Sequence, residues 1–183
     1  SARNEAHEAL TLLLERVRGF RERGPCFEAT LQLAIIEVDL GHHDAAERNL
    51  RKLRGAPPAL RGRAELLLGQ IAVLRQEPWA EKILGDALRD LTDPKHQCEA
   101  YLLLAERHLL RDCVEQASQA LSAAATLLTK GRLTSLQGRL ALLRGDLARA
   151  QNQLPEAEEG YRAARELARE DHELLLRILL RRG

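Results

Sequence analysis

The sequence has no methionine, three cysteines and few aromatic residues, and each shortage narrows the range of functions. Because Cys26, Cys98 and Cys113 are too few and odd in number for a disulfide framework, we expect a reducing, cytoplasmic setting. Aromatic residues make up 3% of the chain, which leaves few rings on which unpaired bases could stack. Since methionine is missing even at position 1, we expect the chain to be part of a longer protein.

The sequence also has no excess of charge of one sign and no long apolar run. The formal net charge is +1, so no overall field attracts nucleic acid or an anionic membrane. No apolar run reaches the roughly 18–20 residues of a membrane helix, and no segment resembles a signal peptide. Nucleic acid stays the weaker alternative because of two basic clusters, which cations at helix C-termini also explain. The clusters are Arg16, Arg18, Arg21 and Arg23, and Arg48, Arg51, Lys52 and Arg54.

Apolar residues recur at helical spacing along nearly the whole chain, and alternating patterns typical of strands are almost absent. Glycine and proline interrupt this pattern every 11–20 residues, for example at Gly24-Pro25, at Pro57-Pro58 and at Lys130-Gly131. The sequence therefore predicts an all-α protein whose consecutive helices are antiparallel neighbours. The predicted helices are 3–22, 26–40, 44–54, 59–75, 79–91, 95–111, 113–129, 133–151, 155–169 and 171–181.

Four helix pairs can be laid over one another as internal repeats. Each first helix ends its apolar stretch on a small residue, namely Ala34, Gly69, Ala105 and Gly145, at intervals of 35, 36 and 40 residues. Each second helix combines small residues with a large one, since two helices approach closely only where one presents no bulk. A single pair cannot bury its own apolar face, so the repeats are expected to stack. The second-helix residues are Ala46/Leu50/Leu53, Ala80/Leu84/Ala87, Ala117/Leu121/Ala124 and Ala157/Tyr161/Ala164.

This pattern resembles the tetratricopeptide repeat family, most clearly over residues 27–60. There Leu33-Ala34 matches the Leu-small pair, Gly41 the turn, Ala46 the second-helix alanine and Pro58 the terminal proline. The resemblance implies a right-handed α-solenoid of antiparallel helix pairs. On this reading residues 1–183 form one domain of about four pairs (26–170), with a leading helix (3–22) and a closing helix (171–181).

The resemblance also implies a concave groove lined by the first helix of each pair. Alternating charges above a strip of leucines would suit a partner peptide or helix with apolar anchors. The alternative for each residue is that the leucines are core and the charges a solvated face. Leucine replaces the lysines that co-chaperone members of the family use to clamp a carboxylate, so we expect no such clamp. The predicted groove residues are Glu28, Leu31, Arg63, Leu66, Gln70, Glu99, Leu102, Glu106, Arg139, Leu142, Asp146 and Arg149.

The motifs of catalysis and metal binding are not found in the sequence. His42 and His43, the only paired histidines, fall at the predicted turn, where Asp44 could cap the next helix. We therefore predict no enzyme activity, metal or cofactor, and expect a scaffold or regulator that binds a protein or peptide in its groove. One alternative is a small-ligand sensor within a larger regulator. Another is an oligomerisation module that self-associates through the terminal helices, since residues 174–180 are strongly apolar.

Overall fold

A computed structural model describes residues 7–8, 11–12, 23–131 and 134–167. The chain divides into two compact units, Ser1–Thr92 and Asp93–Gly183, here called the N-terminal and C-terminal units. All regular structure in the described ranges is helical, which confirms the all-α prediction. The closing helix predicted over 171–181 lies outside the described residues. So does the leading helix over 3–22, apart from residues 7–8 and 11–12, which are helical.

The described part of the N-terminal unit contains two helix pairs. The first pair is α1 (Arg23–Asp39) and α2 (His43–Arg51), and a short 3-10 turn, Lys52–Gly55, continues α2. The second pair is α3 (Pro58–Leu74) and α4 (Ala80–Asp90). All four helices were predicted, and their ends shift by at most three residues. Gly24 and Pro25, predicted as a break, lie in the first turn of α1, where proline's missing N–H costs no hydrogen bond.

The described part of the C-terminal unit also contains two pairs, α5 (Pro94–Leu109) with α6 (Val114–Gly131) and α7 (Gln137–Ala150) with α8 (Leu154–Leu167). One predicted boundary is wrong, because α6 continues through Lys130 and Gly131. The predicted start of α7 at 133 is also too early, since a 3-10 turn, Thr134–Leu136, precedes the helix.

The same backbone turn joins the helices of all four pairs. One residue in each turn has a positive φ: Gly41 (77°), Gln76 (55°), Asp112 (55°) and Asn152 (62°). From 41 to 76, 112 and 152 the steps are 35, 36 and 40 residues, the same as between the small residues of the first helices. The next amide in each turn reaches back five residues, as when His42 donates to the Glu37 carbonyl at 2.8 Å. This pattern is a Schellman motif, which satisfies the last carbonyls of the helix.

The two helices of a pair approach at the predicted small residues. A Cβ placed on Gly69 of α3 would lie 2.3 Å from Cδ2 of Leu84 in α4. A Cβ on Gly145 of α7 would lie 2.7 Å from the Tyr161 ring of α8. Both glycines are among the small residues at which a close approach was predicted. Their contact confirms that a residue without bulk faces a large one across the pair.

Each unit builds its core from these contacts. In the N-terminal unit the core includes Leu31, Ala34, Leu50 and Leu53, all at most 1% exposed. In the C-terminal unit Cys98, Leu102, Ala105, Leu121 and Leu143 form one cluster, and Tyr161 belongs to another. The predicted packing residues of the second helices are all buried, including Ala46, Ala80, Ala117 and Ala157.

The start of α2 differs from the prediction. Its N-cap is His42, whose side chain makes no capping hydrogen bond. Asp44 instead lies in the first turn of α2, where it accepts a hydrogen bond of 2.6 Å from Arg75 at the end of α3. Since the two helix ends are adjacent, the carboxylate binds a guanidinium of the next pair rather than its own backbone. The ion pair lowers the pKa of Asp44 below its usual value, through the hydrogen bond first and the charge of Arg75 second.

Candidate functional site

The four leucines of the predicted groove are buried. Leu31 and Leu102 are fully buried, and Leu142 and Leu66 are 2% and 5% exposed. Leu31, Leu102 and Leu142 belong to the core clusters of their own units. This burial is the alternative that the sequence left open for them. Apolar side chains between stacked helix pairs gain more free energy from burial than from solvent contact. The burial removes these leucines from the surface that a partner could reach.

The predicted charges are brought together in pairs between successive first helices. In the N-terminal unit, Nη1 of Arg63 on α3 lies 3.9 Å from Oε1 of Glu28 on α1. In the C-terminal unit, Nη2 of Arg139 on α7 donates to Oε2 of Glu106 on α5 at 3.0 Å. Both pairs join residues 33 or 35 positions apart, about one repeat. These contacts hold neighbouring first helices together and leave the face less charged than the sequence suggests.

Two other predicted residues take no part in such pairs. Gln70 and Glu99 are half-buried and make no side-chain hydrogen bond or ion pair with another described residue. They stay candidates for partner contact, but nothing in the described geometry singles them out.

Asp146 is the predicted residue with the most developed surroundings. It is 4% exposed, and the hydroxyl of Tyr161 donates to its Oδ1 at 3.0 Å. Nη2 of Arg149 lies 3.8 Å from the same oxygen. Burial raises the pKa of Tyr161, and the charge of Arg149 opposes that shift. Tyr161 was predicted as a packing residue only. The available signal for this bond was its hydroxyl, which faces α7, where Asp146 directly follows Gly145.

Three predicted residues line one cavity in the C-terminal unit. This cavity, about 450 Å³ in volume, lies where the ends of α5 and α7 meet and is here called the α5–α7 cavity. Three carboxylates border it with one guanidinium, although Glu106 is also bonded to Arg139. Leu110, which is 50% exposed, adds an apolar surface at the rim. Its lining residues are Glu106, Leu109, Leu110, Asp112, Asp146, Arg149 and Ala150.

A second cavity lies in the N-terminal unit and includes none of the predicted groove residues. Its volume is about 540 Å³, and it is formed by α2 with its 3-10 turn, α3 and α4; it is here called the α2–α3–α4 cavity. Four cations and two carboxylates border an apolar floor. The sequence did not indicate this site because second-helix residues, which the repeat pattern assigns to packing, form part of its lining. It is lined by Leu50, Arg51, Leu53, Arg54, Arg61, Ala64, Glu65, Leu68, Trp79, Lys82, Ile83 and Asp86.

Glu65 is the unusual side chain of the α2–α3–α4 cavity. Its Oε2 atom is shielded from solvent and accepts no hydrogen bond from the described residues. Burial raises the pKa of Glu65, and repulsion from Asp90 and Asp86 adds to this, while Arg61 and Arg89 oppose it. Arg61 is bound to Asp90, to which its Nε donates a hydrogen bond of 2.5 Å.

Comparison with known proteins gives no family for this chain. No family model matches it, and no curated protein matches it. The resemblance to tetratricopeptide repeats therefore stays a prediction that rests on the small residues, the turns and the helix pairs described above.

Two of the histidines, His7 and His42, are neighbours in the N-terminal unit. Nε2 of His7 lies 3.6 Å from Oε1 of Glu37, and the ring of His7 meets the ring of His42 edge-on at 6.1 Å. Over residues 23–131, 134–167 and the four earlier described positions, no three His, Cys, Asp or Glu side chains converge as metal ligands would. Within the same ranges, no helix is both long enough and apolar enough to cross a membrane.

Proposed function

We propose that this protein is a non-catalytic binding module of the tetratricopeptide type, a right-handed α-solenoid that holds a segment of a partner protein. Four features support the repeat: the turn with a positive φ, its Schellman hydrogen bonds, the small residue seven positions before it, and the large residue that packs on that small residue. A scaffold of this kind presents the faces of its first helices for binding. A role as part of a larger cytoplasmic regulator stays a prediction from the sequence.

The α5–α7 cavity is the proposed recognition site. The observation that carries the proposal is that Glu106, Asp146 and Arg149, three residues assigned to the groove, line one cavity beside the exposed Leu110. Carboxylates outnumber cations there, and Asp112 is exposed and in no ion pair with another described residue. A partner segment with a basic side chain next to an apolar one would match both features.

The test begins with peptides selected from a random display library against the whole chain. The expected winners carry Lys or Arg close to Leu, Ile or Phe. Leu110→Asn should weaken the binding of a selected peptide about three- to tenfold in a calorimetric titration, because it removes about half of a leucine's burial energy of ~1.5–3 kcal/mol. Asp112→Asn should weaken it two- to fivefold and reduce its salt dependence, as expected for one exposed charge.

Leu74→Asn is the matched control. Leu74 ends the first helix of its own pair, is 50% exposed like Leu110, and lies 36 residues earlier, one repeat away. It should leave the affinity within about twofold. Selection of acidic peptides, or an equal loss of binding in both leucine variants, would contradict the proposed site.

A further inference from the structure

The α2–α3–α4 cavity combines features that the proposed function does not use. We infer that it is a binding site for a small organic anion with an apolar body and one N–H or O–H donor. The inference rests on residues of the N-terminal unit alone, so it stands independently of the α5–α7 cavity.

The size and floor of the cavity suit a small molecule. A volume of about 540 Å³ falls within the range of ~300–1,000 Å³ that ligand sites occupy. The floor is apolar: Leu50, Leu53 and Leu68 are buried, and Ile83 is half-buried beside them. Trp79, the only tryptophan of the chain, adds a half-buried indole. An aromatic or aliphatic body would gain free energy by covering this floor.

The charges around the cavity favour an anion. Two of the four cations are already held by carboxylates: Arg61 by Asp90 and Arg51 by Glu47. The other two, Arg54 and Lys82, are exposed and in no ion pair with a described residue. They come from different elements, the 3-10 turn after α2 and the helix α4, so both can approach one anionic group from two sides.

Glu65 adds the requirement that the ligand carry a hydrogen-bond donor. A shielded carboxylate oxygen without a hydrogen bond is costly, and the folded protein offers it no donor in the part of the chain that the structure describes. Because Glu65 lines the cavity, a rotation of its carboxylate would bring this oxygen to a ligand N–H or O–H, which would supply the missing bond. Burial raises the pKa of Glu65, as expected for a carboxylate that is shielded from water and lacks a donor.

A small molecule fits these observations better than a macromolecule does. The polar groups border one apolar floor within a single unit. A peptide or nucleic acid would instead need a row of contacts along a longer face. A probe with the required chemistry is 8-anilinonaphthalene-1-sulfonate, which has one sulfonate, two aromatic groups and one N–H. The whole chain should bind it saturably at one site, with enhanced probe fluorescence.

Four variants locate the site. Arg54→Glu and Lys82→Glu should each weaken probe binding at least about tenfold, since each replaces an attraction by a repulsion. Glu65→Leu should weaken it about fivefold because the acceptor is lost, whereas Glu65→Gln, which keeps an acceptor oxygen, should not weaken it. The matched control is Lys52→Glu, which makes the same charge change two residues from Arg54 but outside the cavity lining. It should change the affinity less than about threefold.

Circular dichroism of each variant separates loss of the site from loss of the fold, because partly unfolded proteins also bind this probe. With the folded state intact, three results would overturn the inference. They are non-saturable binding, an equal response of Lys52→Glu and Arg54→Glu, and displacement of the probe by a peptide that fits the cavity better.

Discussion

The two units carry the same helix pairs and turns but surround their cavities with opposite charges. The α2–α3–α4 cavity of the N-terminal unit is lined by four cations and two carboxylates. The α5–α7 cavity of the C-terminal unit is lined by three carboxylates and one guanidinium. With an overall net charge of +1, this contrast is invisible in the composition of the chain. The repeat thus fixes the backbone, while side chains outside the packing positions differ between the units and give the two cavities different charges.

The pairs also differ in how closely their helices approach. In the N-terminal unit, Gly69 of α3 meets the side chain of Leu84, and a Cβ on Gly62 would come no nearer than 3.1 Å to the backbone of Asp90 and Leu91. In the C-terminal unit, glycine meets glycine: a Cβ on Gly160 of α8 would lie 2.8 Å from the backbone N and Cα of Gly145 on α7. A side chain can adopt another rotamer, whereas a helix backbone must move as a whole. Backbone contact therefore tolerates less change.

The largest predicted effect tests this difference between the two pairs. Gly160→Ala should lower the free energy of unfolding by about 3 kcal/mol, at the upper end of overpacking costs, because α8 must separate from α7. Gly69→Ala should cost about 1–2 kcal/mol, because the buried Leu84 can shift only partly. Urea titration followed by circular dichroism measures both values.

Gly85→Ala is the control for helix propensity. Gly85 lies in α4, and a Cβ there would meet nothing within 4 Å. This variant should gain about 0.5–1 kcal/mol, since alanine loses less backbone entropy than glycine in a helix. Equal costs for Gly160→Ala and Gly69→Ala would show that the two pairs pack alike, contrary to the comparison.

A smaller effect is expected from the hydroxyl of Tyr161. Tyr161→Phe keeps the ring against Gly145 but removes the hydrogen bond to the buried Asp146. We expect a loss of about 1–2 kcal/mol in the same urea titration, because a carboxylate loses a donor while Arg149 remains 3.8 Å away. The equivalent residue of the preceding unit, Leu84, has no such bond. A loss below a few tenths of a kcal/mol would mean that the bond adds nothing to the C-terminal unit.

The smallest effect concerns Glu65 and depends on pH. Its folded-state pKa is raised above the reference value of 4.5, so its contribution to stability falls as pH rises through the folded pKa. Glu65→Gln removes this titration. The variant should therefore gain stability relative to the parent on going from pH 4 to pH 7, as measured by thermal unfolding at both pH values.

Glu158→Gln is the control for this pH dependence. Glu158 is an exposed residue of α8. Its relative stability should stay the same between pH 4 and pH 7. A Glu65→Gln variant that loses relative stability over the same interval would contradict the burial of this carboxylate.

Much of the fold was predictable from the sequence because it depends on periodicity and on residue size. The spacing of Ala34, Gly69, Ala105 and Gly145 predicted which helices pair and where they approach closely. A positive φ was not predicted at any of the four turns, although Gly41 readily adopts one. Asp112 and Asn152 tolerate this conformation better than most residues do, but Gln76 gives no local signal. There the tertiary repeat imposes the turn.

The candidate sites were less predictable because they depend on which side chains bind each other. The sequence placed Glu106, Asp146 and Arg149 on one face, and the structure brings them to one cavity. The sequence did not predict the hydrogen bond from Arg139 to Glu106. Nor could it locate the α2–α3–α4 cavity, since that site depends on the shape left between three helices rather than on a repeat position. Burial of an unpaired oxygen on Glu65 is likewise a property of packing alone.

The claim that the two units bind different chemistries can be tested in one measurement on ¹⁵N-labelled protein. The amide and indole signals are followed during titration with 8-anilinonaphthalene-1-sulfonate and, separately, with a selected basic–apolar peptide. We predict that the anion shifts the indole signal of Trp79 and the amides around Ile83, and that the peptide shifts the amides of 109–112 and 149–150. Shifts of Trp79 caused by the peptide, or of 109–112 caused by the anion, would contradict the account.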